Sequence, residues 1–400
     1  MKETSRDHSI LFDPNLNIIF GITLISVLGV ASIAPAFPQI TSAMRVPRED
    51  AAWLISMFTI PGLLFTPITG ALSDRYGRKR ILFPCLLLFG LAGGGCFFAP
   101  DFRTLLMLRF LQGLGSAPLN SLNVALIGDL FYGKERSAAI GYNTSAIGAG
   151  TASYPALGGL LAMIGWNYPF LLAFLALPVG TWVLLGLEEK KLTKTGRIEI
   201  GKDLSSLAKS IGSKGTPVIL AASMMSFIVQ YGSFLTFLPF FLASTFAATP
   251  LMIGLVSSSM SISSAITAPI AGRWFRMERG PLFIASSFFI YGAALFFILH
   301  VPGCLGMLVP AVLFGIGQGI NIPALLSMLT ENSPEKDRAM FLSINSMSLR
   351  LGQTVGPIMF GMIFSGFGIR AVFFTGAAMA MVMAVVVLVA LEGRGVRVER

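Results

Sequence analysis

Charge is scarce in this chain. Only 12% of its 400 residues are Asp, Glu, Lys or Arg, about half the roughly 25% that covers a water-facing surface. Two histidines and three cysteines (Cys85, Cys96, Cys304), the latter without metal-like spacing, argue against a zinc centre or a disulfide framework. No metal and no other cofactor is expected. All 19 acids fall outside the apolar cores, with Asp129 and Glu331 coming closest. HExxH, GxSxG and a complete GxGxxG are missing. Two strings that resemble phosphate loops, beginning at Gly128 and Gly196, carry Glu135 and Asp203 where phosphate binding needs Ser or Thr. Enzymatic chemistry is therefore not expected. What fills the chain instead is 54% apolar residue, including 33 Phe, together with 43 Gly, at a mean hydropathy of +0.77. That mixture belongs to closely packed membrane helices.

A helix needs about 20 apolar residues to cross ~30 Å of hydrocarbon. Runs of that kind lie near 17–40, 51–72, 81–99, 104–128, 138–162, 167–187, 216–243, 251–272, 282–300, 305–329, 340–364 and 371–391. The expectation is an all-α protein of twelve spans. The first run is too long for a signal-peptide core and reads as a retained span. None of the runs alternates with period two, which excludes a barrel. The longest gap divides the chain into a six-helix half at 1–187, a central loop at 188–215 and a second six-helix half at 216–400.

The net charge of +10 sits in short loops rather than on one basic face, which removes nucleic acid as a partner. With both termini inside, inner segments hold 23 Lys and Arg and outer loops four (Arg45, Arg48, Arg103, Arg370). That bias predicts cytoplasmic termini in a plasma or bacterial inner membrane. A 202-residue shift superposes Pro67 on Pro269, Gly113 on Gly315, Asn143 on Asn345 and Pro155 on Pro357, and Lys134–Arg136 on Lys336–Arg338. A parallel internal repeat is expected. Spans three, six, nine and twelve are nearly bare of polar side chains, which predicts that every third helix faces lipid.

Between spans two and three the chain reads Gly70-Ala-Leu-Ser-Asp74-Arg75-Tyr-Gly77-Arg78-Lys-Arg. Gly70 and Gly77 suit a tight connection. Asp74 is placed to pair with the partial positive charge at the N-termini of spans three and eleven, a cytoplasmic latch. The alternative is a plain positive-inside loop. Span four carries Arg109-Phe-Leu-Gln112-Gly113-Leu-Gly115, and span five Gly141, Gly150, Tyr154-Pro155 and Gly158-Gly159. Gly352, Gly356-Pro357 and Gly361 follow a partial second copy of the latter. These small residues predict close packing and a hinge.

The three motifs resemble the loop, span-four and antiporter signatures of the major facilitator superfamily, and in particular its twelve-span drug:proton exporters. The resemblance covers the whole chain and implies proton exchange, with Arg109 and Gln112 linked to coupling. Tyr154 departs from it, standing where the family has Gly. The first span also lacks the buried acid of many such exporters, offering Thr23, Ser26 and Ser32 instead. Asp74, Asp129 and Glu331 remain as proton carriers, with a loop salt bridge the alternative for each. Arg109 itself has a structural alternative, a cation snorkelling to the outer surface about 8 Å away.

Arg350 lies about ten residues into span eleven, near the midplane, with Ser343, Ser346, Gln353 and Pro357 on its stripe. It must find carbonyls, water or an anionic ligand. Further cavity candidates are Asn120, Asn123, Asn143, Gln230, Tyr231, Gln318 and Asn321; a helix–helix hydrogen bond is the alternative for each. The expectation is a monomeric secondary transporter of small amphipathic molecules, exporting them against protons by alternating access. An organic-anion importer or symporter is the nearest competitor. A non-transporting receptor or a membrane-embedded enzyme is the competitor from another class.

Overall fold

A computed structural model describes residues 10, 12–187, 215–333 and 338–392. The predicted central loop at 188–215 lies almost wholly outside them. Among the described residues there is no strand. The helices are α1 (Pro14–Ala31), α2 (Phe37–Ala43), α3 (Ala51–Tyr76), α4 (Arg78–Gly95), α5 (Phe102–Ser116), α6 (Leu119–Leu130), α7 (Gly133–Ala162) and α8 (Ala176–Gly186). They continue with α9 (Thr216–Phe227), α10 (Leu238–Phe246), α11 (Pro250–Trp274), α12 (Gly280–Ile298), α13 (Leu308–Asn332) and α14 (Arg338–Val387). A π-helix, Ile228–Phe237, joins α9 to α10.

Local chemistry accounts for the boundaries. Asp13 caps α1 by accepting from the amides of Asn15 and Leu16, with Pro14 at the first helical position. Asp101 caps α5 through the amide of Thr104, a bond that holds its carboxyl below the usual carboxylate range. Gly77, at φ 103°, turns α3 into α4 within one residue, a conformation closed to other L-residues. Gly70, by contrast, lies inside α3 with open space around it, so the expected turn rests on Gly77 alone.

Eight helices among the described residues are long and apolar enough to cross a membrane, nine if the bent pair Arg48–Thr66 and Ile68–Tyr76 counts as one span. The difference from the twelve predicted spans has physical causes. Span four turns at Ala117–Pro118, leaving two short helices. Span five, α7, is rich in Gly, Ser and Thr. Spans eleven and twelve run together as α14, whose backbone leaves helical geometry only at Gly368 (φ 78°). Burial does not sort these helices by polarity. Of the eight, the most apolar 18-residue window of 168–186 has the smallest buried share, 33%, but that of 277–298 reaches 56%, equal to the first span. Apolarity does not distinguish a helix facing lipid from one facing other apolar helices.

The chain divides into two compact units, one within Met1–Thr195 plus Thr249–Leu255, the other within Gly196–Ala248 plus Val256–Arg400. Inside the first, Gly113 lies so close to α3 that a Cβ would stand 2.2 Å from the Phe58 carbonyl oxygen. Inside the second, a Cβ on Gly315 would stand 2.1 Å from the Met260 oxygen. Met260 follows Phe58 by the same 202 residues that separate the glycines. Gly115 packs on Cys85 and Phe89, and Gly317 on Ser287 and Tyr291, again 202 residues on. Arg45 and Ala247, also 202 apart, are the two non-glycine residues with left-handed φ among those described.

Candidate functional site

The loop motif builds a small ionic cluster around Arg78. Its Nη1 lies 2.8 Å from Asp74 Oδ1 and donates to Ser73 Oγ at 2.9 Å, while its Nε donates to Asp129 Oδ2 at 3.0 Å. Asp129 closes α6, so Arg78 ties the start of α4 to the ends of α3 and α6. Lys79 donates to the Leu187 carbonyl, and the Arg75 guanidinium lies 5.4 Å from the Tyr76 ring centroid. Both carboxylates are half exposed, so the pairs contribute at most about 1 kcal/mol each. Asp74 is thus joined to Arg78 and through it to Asp129. Glu331 is exposed at the end of α13.

Arg109 does not snorkel. It is fully buried and points into the first unit because carbonyls of two other helices wait for it there. Nε donates to Leu54 O at 3.1 Å, and Nη1 to Gly29 O at 2.8 Å and Gln112 Oε1 at 2.6 Å. Its guanidinium lies 4.4 Å from the centroid of Phe58. Nη2 has no partner among the described residues. Burying a cation without a carboxylate is costly, and the carbonyls and ring face offset only part of the desolvation. Gln112 in turn lies over Gly93, where a Cβ would stand 2.3 Å from its Nε2.

Asn123 and Asn143 meet Thr23 in one buried network. Asn123 Nδ2 donates to Thr23 Oγ1 and to Asn143 Oδ1, and the Thr23 hydroxyl is shared between Asn143 Oδ1 and the Ile19 carbonyl. Spans one, four and five are joined there, leaving Asn123 Oδ1 over. Asn321 likewise donates to Ser287 Oγ at 2.6 Å. Each of these three asparagines makes a hydrogen bond between helices. Asn120 is exposed, and Gln230, Tyr231, Gln318, Gln353 and Arg350 are half-buried.

The glycines of α7 divide by depth. Gly150 rests on Val27 and Leu24, Gly158 on the Ser32 backbone and Gly159 on the Pro250 carbonyl; Gly254 rests on that of Pro155. Gly141 has nothing within 4 Å, so no tight contact explains it. Tyr154 is buried, its ring against Gly150. In the second unit Gly352 sits on the Met224 carbonyl and Gly356 on the Ile228 backbone. Tyr231 is hydrogen-bonded to Gln353, and Arg350 is in electrostatic contact with Tyr231. A recess of about 530 Å³ on the first unit is lined by Pro38, Gln39, Ser42, Ala43, Gly165 and Trp166, none a predicted site residue.

The sequence reading missed Phe58 and Gly29, which seat Arg109, and Ser223, whose hydroxyl is buried with no hydrogen-bond partner among the described residues. The 202-residue repeat does not find the last, because it sets Met225 against Thr23. Only the contacts show an offset of 200 there: Gly352 contacts Met224 and Phe227 as Gly150 contacts Leu24 and Val27, which matches Ser223 to Thr23.

Long apolar helices, a charged loop cluster and a buried guanidinium held by helix carbonyls define a multi-pass membrane protein. The chain belongs to the Major Facilitator Superfamily, whose sequence model matches residues 19–244 and 219–399. It is 27% identical to the bacillibactin exporter of Bacillus subtilis (strain 168) over 88% of this chain and 90% of that one. It is 25% identical to multidrug resistance protein 2 of the same organism, over 91% of each. A solved structure of a bacterial homolog of the human lysosomal transporter Spinster has the same fold. Its TM-score is 0.73, with 17% identity over 98% of this chain and 96% of that one. Together with the motifs, these place the chain among the drug-efflux-like transporters of the superfamily.

Proposed function

We propose that this protein exports small amphipathic molecules by alternating access, driven by proton exchange, with twelve crossings and both termini in the cytoplasm. The observation that carries the reading is the Asp74–Arg78–Asp129 cluster, in which one cation holds three helix ends on the predicted cytoplasmic side. Its few exposed ionic bonds suit a contact that must break and re-form in every cycle. Two relatives bear the names of a multidrug resistance protein and a bacillibactin exporter, and both align along nearly the whole chain. The matched glycine contacts and the repeated left-handed turn support two halves of six helices.

No acid lies within a span, so proton exchange falls to Asp74, Asp129 or Glu331, with Arg109 and Gln112 in a coupling role. The half-buried Arg350 favours a second reading, organic-anion uptake. Accumulation in inside-out vesicles tests both. Export against protons gives uptake only with an acid interior. Anion uptake by symport reverses that dependence, and no accumulation of any solute under either gradient favours a receptor. Orientation is tested by single cysteines at Lys194 and Thr245, of which an impermeant reagent applied to intact cells should label the second alone.

A further inference from the structure

We propose that the second unit carries a subsite for planar aromatic anions, formed by Arg350 and Gln353 of α14 with Phe227 and Tyr231 of the seventh span. The proposal rests on the transporter reading above and names a substrate class for it.

The site is assembled by backbone contact. A Cβ on Gly352 would stand 2.4 Å from the Met224 oxygen, one on Gly356 2.8 Å from that of Ile228, and one on Gly232 2.8 Å from that of Gly356. With no side chain between them, α14 and the seventh span touch along nearly two turns, and residues beside the glycines share one level. The π-helix then sets direction. From Ile228 to Phe237 the turn is wider than an α turn, and Thr236 Oγ1 donates five residues back to the Tyr231 carbonyl at 2.6 Å. The wide turn presents Tyr231 to α14, where it bonds Gln353 and meets the field of Arg350. Phe227 lies parallel to Tyr231, centroids 5.6 Å apart and planes 13° apart.

These groups fit one kind of ligand. No Asp or Glu occurs between 279 and 330 or between 338 and 391, so these stretches add no negative charge to the field of Arg350. A guanidinium has five N–H donors, enough to hold a protein partner and an anion together. Its planar fork matches a carboxylate or sulfonate, and half-burial strengthens the attraction over that in water. The paired rings of Phe227 and Tyr231 offer a flat apolar wall for an aromatic body. A neutral aliphatic compound would use the wall and leave the fork unused.

The full chain, reconstituted in liposomes, should be given two fluorescent probes of one skeleton: 1-anilinonaphthalene-8-sulfonate, which is anionic, and N-phenyl-1-naphthylamine, which is neutral. The wild type should transport the sulfonate at a kcat/KM at least about tenfold above the neutral probe. Arg350→Gln should reduce that ratio at least fivefold, and Arg350→Lys should restore only part of it. Tyr231→Leu should weaken both probes. If Arg350→Gln fails to fold, Gln353→Leu takes its place, with a threefold fall in the ratio expected and an unchanged ratio overturning the subsite. An equal loss of both probes in folded Arg350→Gln makes the residue structural and overturns the proposal. Transport of the neutral probe alone overturns the subsite and leaves the exporter standing. Transport of neither, under any gradient, removes both.

Discussion

Two stretches of this protein share one scaffold and fill it differently. In the first unit, α5 approaches α3 and α4 through Gly113 and Gly115; in the second, α13 approaches α11 and α12 through Gly315 and Gly317, against partners 202 residues on. The space between them holds Arg109 and Gln112 in one case. The matching positions in the other are Ala311 and Phe314. Phe314 packs on Phe234 and Tyr291, both with centroids at 4.6 Å. An apolar cluster gains from packing however it is reached, whereas a buried guanidinium is tolerable only where carbonyls have been aimed at it. The backbone frame therefore does not dictate the chemistry it encloses. One unit is built around a charge, the other around aromatic rings. Arg350 makes the converse point, since its counterpart in the first unit is Gly148.

The sharpest way to break this comparison is to substitute the two fillings with the same flexible apolar residue. Phe314→Ala and Arg109→Ala should each cost about 3–5 kcal/mol, read from thermal unfolding in detergent. Methionine should then separate them. Phe314→Met should recover to within about 1.5 kcal/mol of wild type, because volume is what was lost. Arg109→Met should remain about 2–3 kcal/mol down, because the carbonyl of Gly29 and Oε1 of Gln112 lose their donor. Equal recovery at both positions would mean that Arg109 acts mainly by filling space.

The shared scaffold predicts equal sensitivity where the glycines meet backbone. Gly113→Ala and Gly315→Ala should each destabilise by roughly 2–3 kcal/mol, visible as loss of monodisperse protein on size exclusion. Tolerance at one position alone would mean that the paired contacts are coincidental.

A smaller effect is expected at the buried polar network. Asn123→Leu installs the residue that the second unit has at the matching position, Leu325, and should cost about 1–2 kcal/mol by stripping donors from Thr23 and Asn143. Leu325→Asn should cost less than about 1 kcal/mol, because Ser223 Oγ and Asn345 Oδ1 are already buried without partners among the described residues. Unfolding midpoints of the two variants in one detergent compare them directly, and the reverse order would detach Ser223 and Asn345 from the Thr23 pattern.

The smallest stability change belongs to Asp74, whose counterpart is Arg276. Asp74→Asn should shift unfolding by less than about 1 kcal/mol, since the carboxylate is half exposed. It should nevertheless slow transport several-fold at equal expression, through the weakened hold of Arg78. Wild-type rates in this variant would detach the loop cluster from gating.

Much of this was legible in one dimension. The apolar runs, the Gly77 turn and the order of the motifs follow from composition and spacing, because a bilayer demands a fixed length of apolar chain and a tight reversal demands φ above zero. The 202-residue offset was visible for the same reason, as a periodicity of Gly and Pro. The aim of a long side chain was not visible. Arg109 reaches roughly 6 Å from its backbone, so five residues from a helix end it can turn toward water or away. Only carbonyls contributed by α1 and α3, distant in sequence, decide for the interior. Whether an asparagine joins two helices or faces an open space likewise depends on what the neighbouring helix brings to its level. Sequence fixes which groups a helix carries and how they are spaced along it. Partners are a property of packing, because they come from chain segments whose separation along the sequence holds no record of their distance in space.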